Sequence, residues 1–202
     1  MKEQLAGDTI MIETIKLQIS NSIKAKQLAL QNEELISKIK KVAERIISSL
    51  GENKKVLIAG NGGSAADAQH IAGEFVSKLS FDRAPLPSIA ITTDTSIITA
   101  IGNDYGYEKL FERQILALGN RGDVFIAIST SGNSKNIIKA LEAAKSKGIF
   151  CVGFTGEKQC LMDDFCDIVL KVPSIETPRI QESHIMYGHI ICDLVESAIF
   201  KK

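Results

Sequence analysis

The 202-residue chain balances 24 Lys+Arg against 24 Asp+Glu and carries no formal net charge at neutral pH. That balance excludes the basic field of a protein that grips nucleic acid through its phosphates, a polybasic membrane-surface protein, and an acidic disordered tail. Hydrophobic residues make up 45% and aromatics only 5%, with no Trp, so one globular unit with an aliphatic core is expected.

The first 50 residues read as two helices. Ile12, Ile15, Ile19 and Ile23 recur at three- and four-residue spacing, and Ile36, Ile39, Val42, Ile46 and Leu50 do so again before Gly51 stops the run. Two apolar stripes need cover. They can pack on their own sheet or form a subunit contact, and the pattern alone does not choose.

From residue 55 short β-branched runs alternate with helical ones. Val56–Ala59 is a strand ending in Gly60-Asn61-Gly62-Gly63-Ser64, followed by a helix to about Lys78. Strand Ser88–Ile91 comes after a loop marked by Pro85 and Pro87, and helical segments span about Ser96–Ile101 and Tyr107–Leu118. Strand Val124–Ile128 leads into Ser129-Thr130-Ser131-Gly132-Asn133-Ser134 and a helix to Lys147. Strands Phe150–Thr155 and Ile168–Val172 follow, and a last helix runs from about Arg179 to Phe200. Five uniformly apolar strands alternating with helices specify a parallel sheet covered on both faces, an α/β three-layer sandwich. Ligands of such sheets bind at the carboxyl ends of the strands.

Cys151, Cys160, Cys166 and Cys192 follow no CxxC spacing, so neither a zinc ribbon nor a disulfide framework is expected. Cys151 and Cys192 lie in apolar runs and read as small buried hydrophobes. No secretory signal is evident in MKEQLAGDTI and no apolar stretch approaches the roughly 20 residues of a membrane span, so a cytoplasmic location is expected.

Two loops have chemistry suited to a ligand. Ser129–Ser134 places four hydroxyls and an Asn around one Gly between a strand and a helix, which suits a phosphate monoester held by backbone N–H groups and neutral donors. Helix capping alone would use one hydroxyl. Gly60-x-Gly62-x-x-Ala65 fits a loose dinucleotide fingerprint, with Asp94 as a ribose partner nearly thirty residues on, but it serves a sugar phosphate equally well. His70 and Glu74 share a helical face at i,i+4 spacing, as metal ligands or an acid/base pair would. The last helix offers Gln181, Glu182, His184 and His189. Spacing favours Gln181 with His184; Gln181 and His189 lie about 12 Å apart along a helix and would share a metal only from two sides or from different subunits.

Taken in order, Gly60–Ser64, Asp67, His70, Glu74, Gly102-Asn103-Asp104, Ser129–Ser134, Arg179-Ile180-Gln181-Glu182 and His189 resemble the phosphoheptose isomerases of the sugar isomerase (SIS) superfamily. The resemblance runs from about residue 10 to the end. It implies a single SIS domain over 1–202, with helices 1–50 used in assembly of a homotetramer. It also implies aldose–ketose isomerisation of sedoheptulose 7-phosphate, with one Zn2+ per subunit held by His70, Glu74, Gln181 and His189. Glu74 and His189 correspond to the acid/base pair. Asn61, Gly62, Gly63, Ser64, Asp67, Asp104, Ser129, Thr130, Ser131, Ser134 and Gln181 correspond to substrate positions. Pro178 departs from the acidic residue some members carry there. Two other classes compete: a non-catalytic regulatory relative that binds the replication initiator, and a dinucleotide-binding protein. The resemblance prefers His189 to His184, where spacing did not.

Overall fold

The computed structural model describes residues 2–201, with side chains from residue 9 onward. Helices α1 (Lys2–Leu30) and α2 (Glu33–Gly51) precede the sheet. Then come β1 (Val56–Gly60), α3 (Gly63–Val76), β2 (Ser88–Ala90), α4 (Thr95–Tyr105), a 3-10 turn at Tyr107–Lys109 and α5 (Leu110–Leu118). The chain continues through β3 (Val124–Ile128), α6 (Lys135–Ser146), β4 (Phe150–Gly156), β5 (Ile168–Val172) and α7 (Thr177–Phe200).

The five strands form one parallel sheet in the order β2-β1-β3-β4-β5. Both faces are covered, so β1 and β3 are buried at every position. Alternation along each strand divides the core into two layers. Val56, Ile58, Val124, Ile126 and Ile128 pack with residues of α2, α3 and α7, whereas Leu57, Ala59, Phe125 and Ala127 pack with α4, α5 and α6. Each large aliphatic side chain so buried contributes on the order of 1.5–3 kcal/mol. The chain leaves β1 for β2 on one side and returns to β3 on the other. That reversal opens a crevice between the carboxyl ends of β1 and β3, where the two candidate loops emerge.

The two N-terminal helices have different fates. Asn32 caps α2 by accepting from the Leu35 N–H at 3.0 Å, and Leu35, Ile39, Val42, Ala43 and Ile46 bury its apolar face against the sheet. Helix α1 leaves Ile12, Ile15, Ile19 and Ile23 more than half exposed and, among its described side chains, buries only Ala25 and Ala29. The last helix begins at Thr177, two residues earlier than its periodicity indicates. Pro178 sits in its first turn, where a fixed φ and a missing N–H cost nothing.

A candidate metal centre beside a hydroxyl-rich crevice

Helix α3 carries His70 and Glu74, and α7 lies alongside it. Ile71 packs against Gly188, where a Cβ would come within 2.7 Å of its Cδ1, and this contact sets the two helices in register. As a result His70 Nε2 stands 2.8 Å from His189 Nε2 and 3.1 Å from Glu74 Oε1. One ligand atom from each of the three residues lies within 4.8 Å of the others. Ligand atoms at 2.0–2.1 Å from a tetrahedral zinc stand about 3.3 Å apart, close to the two separations from His70. The residue types, two imidazoles and a carboxylate, are those zinc takes.

His184 belongs elsewhere. It is fully buried, its ring centroid 5.7 Å from that of Phe154, on the sheet side of α7. Burial drives its pKa down to about 4, with Thr155 backbone opposing only in part. Gln181 is on neither group. Its Nε2 lies 2.5 Å from where a Cβ would stand on Gly63, at the start of α3 and seven residues before His70. Within one chain it is about 12 Å along α7 from His189. Asp67 sits between, half-buried, and loss of solvent raises its pKa while the charge of His70 opposes.

The loop after β1 is tightly built. Gly62 adopts φ 55, a left-handed conformation, and a Cβ on Gly60 would fall 2.5 Å from the Ser64 carbonyl oxygen. Asn61, Gly62 and Gly63 stand open or half-open at the crevice, and Ser64 is buried below them. Asp94, the residue a dinucleotide fingerprint would need, is instead the N-cap of α4, accepting from Ile97 N–H at 2.9 Å. Asp104 is exposed on the last turn of α4 and accepts from Asn103.

In the loop after β3, Ser134 occupies the N-cap position of α6 but makes no capping bond with its side chain. Its hydroxyl turns back to Ser129 Oγ at 3.0 Å. Gly132, at φ 66, donates its N–H to Ser129 Oγ, and Asn133 N–H donates to Ser131 Oγ. The first N–H groups of α6 are thus left without a capping side chain, as an anion site requires. Thr130 and Ser131 also line a cleft of about 350 Å³ with Lys158, Ser174 and Thr177. From outside, Leu161 N–H donates to Asn133 Oδ1 at 2.9 Å and Met162 N–H to Gly132 O at 3.1 Å.

Three participants were not legible in the sequence. Asn136 and Tyr107 both hydrogen-bond the Asn61 side chain. Arg83 donates to the Glu74 and Phe75 carbonyls at 2.7 Å each and pairs with Glu196 at 3.3 Å, both side chains almost wholly buried. Asn136 is next to the hydroxyl-rich run, but no local pattern marks it as buried. Arg83 and Glu196 are 113 residues apart and carry no shared signal.

A parallel sheet with a hydroxyl-lined crevice at its switch point defines the sugar isomerase class, and the SIS domain family model matches residues 20–156. Within that class the chain belongs to the phosphoheptose isomerase family. It is 62% identical over 191 residues to the phosphoheptose isomerase of Aneurinibacillus thermoaerophilus, covering 95% of this chain and 96% of that one. It is 58% identical over 188 residues to phosphoheptose isomerase 2 of Campylobacter jejuni, at 93% and 94% coverage. The solved structure of a phosphoheptose isomerase from Neisseria gonorrhoeae superposes with a TM-score of 0.87 at 41% identity, over 93% of this chain and 99% of that one. One from Francisella tularensis gives 0.88 at 35% identity, over 92% and 98%.

Proposed function

We propose that this chain isomerises sedoheptulose 7-phosphate to D-glycero-D-manno-heptose 7-phosphate. The observation that carries the proposal is the convergence of His70, Glu74 and His189 from α3 and α7, in a chain 62% identical to a protein named for this activity. Among the described residues no helix is long and apolar enough to cross a membrane. We place the reaction in the cytoplasm, at the start of heptose supply for a bacterial surface glycan such as lipopolysaccharide or capsule.

The phosphate sits on the Ser129–Ser134 loop, held by Ser129, Thr130, Ser131, Ser134 and the N–H groups that open α6. Asn61, Gly62, Gly63, Ser64, Asp67 and Asp104 line the sugar's path toward α3. Aldose–ketose isomerisation moves a proton between C1 and C2 through a cis-enediol. Glu74 takes the carbon-bound proton from one carbon and returns it to the other, while His189 exchanges protons with the sugar oxygens. Zinc, one per subunit on His70, Glu74 and His189, supplies Lewis-acid polarisation of those oxygens when bound. Gln181 completes the ligand set from a neighbouring subunit, because its place on Gly63 is too far from His189 in its own chain. That requirement fits a single SIS domain assembled as a homotetramer, with the exposed apolar face of α1 in a subunit contact.

The test is direct: purified protein is incubated with sedoheptulose 7-phosphate, with and without chelator, and product is followed by NMR. Turnover that Glu74→Gln abolishes while the fold is retained is the expected result; near-normal activity of that variant would overturn the assignment. The regulatory alternative loses ground because Glu74 and His189 are both present and the relatives at 62% and 58% identity carry the isomerase name.

A further inference from the structure

Asn61, the first residue after β1, and Asn136, in the first turn of α6, exchange two side-chain hydrogen bonds across the switch-point crevice. Asn61 Nδ2 donates to Asn136 Oδ1 at 2.9 Å, and Asn136 Nδ2 donates to Asn61 Oδ1 at 2.8 Å. The Tyr107 hydroxyl donates to the same Asn61 Oδ1 at 2.9 Å. Asn136 is only 3% exposed, whereas Asn61 is half-buried and Tyr107 lies open.

A carboxamide has two acceptor sites on its oxygen and two N–H donors. Asn61 commits both acceptor sites and one donor to protein partners. One N–H remains, and turning Asn61 over alone would set like atoms against Asn136 and break both amide–amide hydrogen bonds. In this arrangement Asn61 meets the crevice as a single donor, suited to a hydroxyl or carbonyl oxygen.

We infer that Asn136 is a positioning residue for the sugar: with Tyr107 it locks the Asn61 carboxamide so that the free N–H addresses a sugar oxygen, and it ties the glycine loop to the phosphate loop. This rests on the sugar-phosphate reading given above. Asn136 lies two residues beyond Ser134, so a purely architectural role would disturb the phosphate loop. A positioning role leaves the phosphate loop alone and acts on the sugar through Asn61.

The experiment is a double-mutant cycle on the intact protein, using Asn61→Ala, Asn136→Ala and the double variant. Sedoheptulose 7-phosphate and inorganic phosphate are each titrated calorimetrically, and turnover is measured alongside. Each single variant should weaken sugar-phosphate binding roughly tenfold, and the double variant should be no weaker than either single one. Inorganic phosphate should bind all three within about twofold of wild type. Tyr107→Phe, an exposed site safe for folding, should weaken the sugar phosphate about threefold and leave inorganic phosphate unchanged. Asn136→Leu keeps the volume without adding charge and removes both amide hydrogen bonds; it carries the same expectation if the alanine variant does not fold. Losses that multiply in the double variant, or phosphate affinity that falls together with sugar affinity, would overturn the inference. Wild type that binds the sugar phosphate without turnover sinks the isomerase proposal alone and leaves the cycle readable; wild type that binds none sinks both.

Discussion

His70 on α3 and His189 on α7 are 119 residues apart in the chain, yet their Nε2 atoms stand 2.8 Å from each other. Two lone pairs this close are unfavourable when both rings are neutral and unprotonated on the facing nitrogen. A shared proton relieves that, and so does a shared metal ion, with the Glu74 carboxylate 3.1 Å away to balance its charge.

His189→Ala should lose both zinc and turnover, the latter by roughly 100-fold or more. His184→Leu, one turn earlier on α7 but facing the core, should retain one zinc per chain. Metal content by plasma emission and turnover of the two variants check the contrast. Prolonged chelation of wild type should reproduce the His189→Ala result and be reversed by zinc.

His184 also sets a pH dependence of stability. Its folded pKa, about 4, lies below the ordinary histidine value, so between the two the unfolded chain binds the proton and the folded chain does not. Stability is full above about pH 6.5 and is lost as pH falls toward 4, by roughly 3 kcal/mol. Denaturant titrations between pH 7 and 4 should show this slope in wild type and a flatter one in His184→Leu.

Gly132→Ala should damage the phosphate loop twice over. Its φ of 66 costs a residue with a Cβ roughly 1–2 kcal/mol, and the new methyl would collide with Cys160 Sγ. A lower Tm together with a raised KM for the sugar phosphate is expected.

Arg83 and Glu196 form a buried ion pair, and Arg83 also bonds the last turn of α3. Burial raises the Glu196 pKa, but N–H donors from Ser80 and Phe81, with Arg83, outweigh it and hold the carboxyl below its usual value. Arg83→Met strands that charge and removes the guanidinium from the carbonyls of Glu74 and Phe75, so a loss of about 3–5 kcal/mol is expected in equilibrium unfolding.

The double substitution Ile15→Glu with Ile19→Glu should reduce the particle mass measured by light scattering while circular dichroism stays unchanged. Both residues are more than half exposed.

The amino-acid sequence by itself determined the elements and the two loops. Periodicities of 2 and 3.6, glycine stops and hydroxyl-rich loops are local properties, set by backbone sterics and by which side chains can leave water. That is why β3 and β5 span the residues their patterns indicate, and why the glycine and serine loops were legible as the loops that follow β1 and β3. Tertiary structure decided what depends on how one element is rotated against another. Spacing favoured Gln181 with His184, and only the packing of Gly188 on Ile71 turns His189 toward His70 and His184 into the core. The same holds for the first two helices, which carry similar apolar stripes. Helix α2 buries its stripe against the sheet, whereas α1 leaves Ile12, Ile15, Ile19 and Ile23 more than half exposed. The zero net charge excluded partners from the outset; bringing the glycine loop and the hydroxyl-rich loop to one crevice requires β1 and β3 to be neighbours, and strand order is a property of the whole chain.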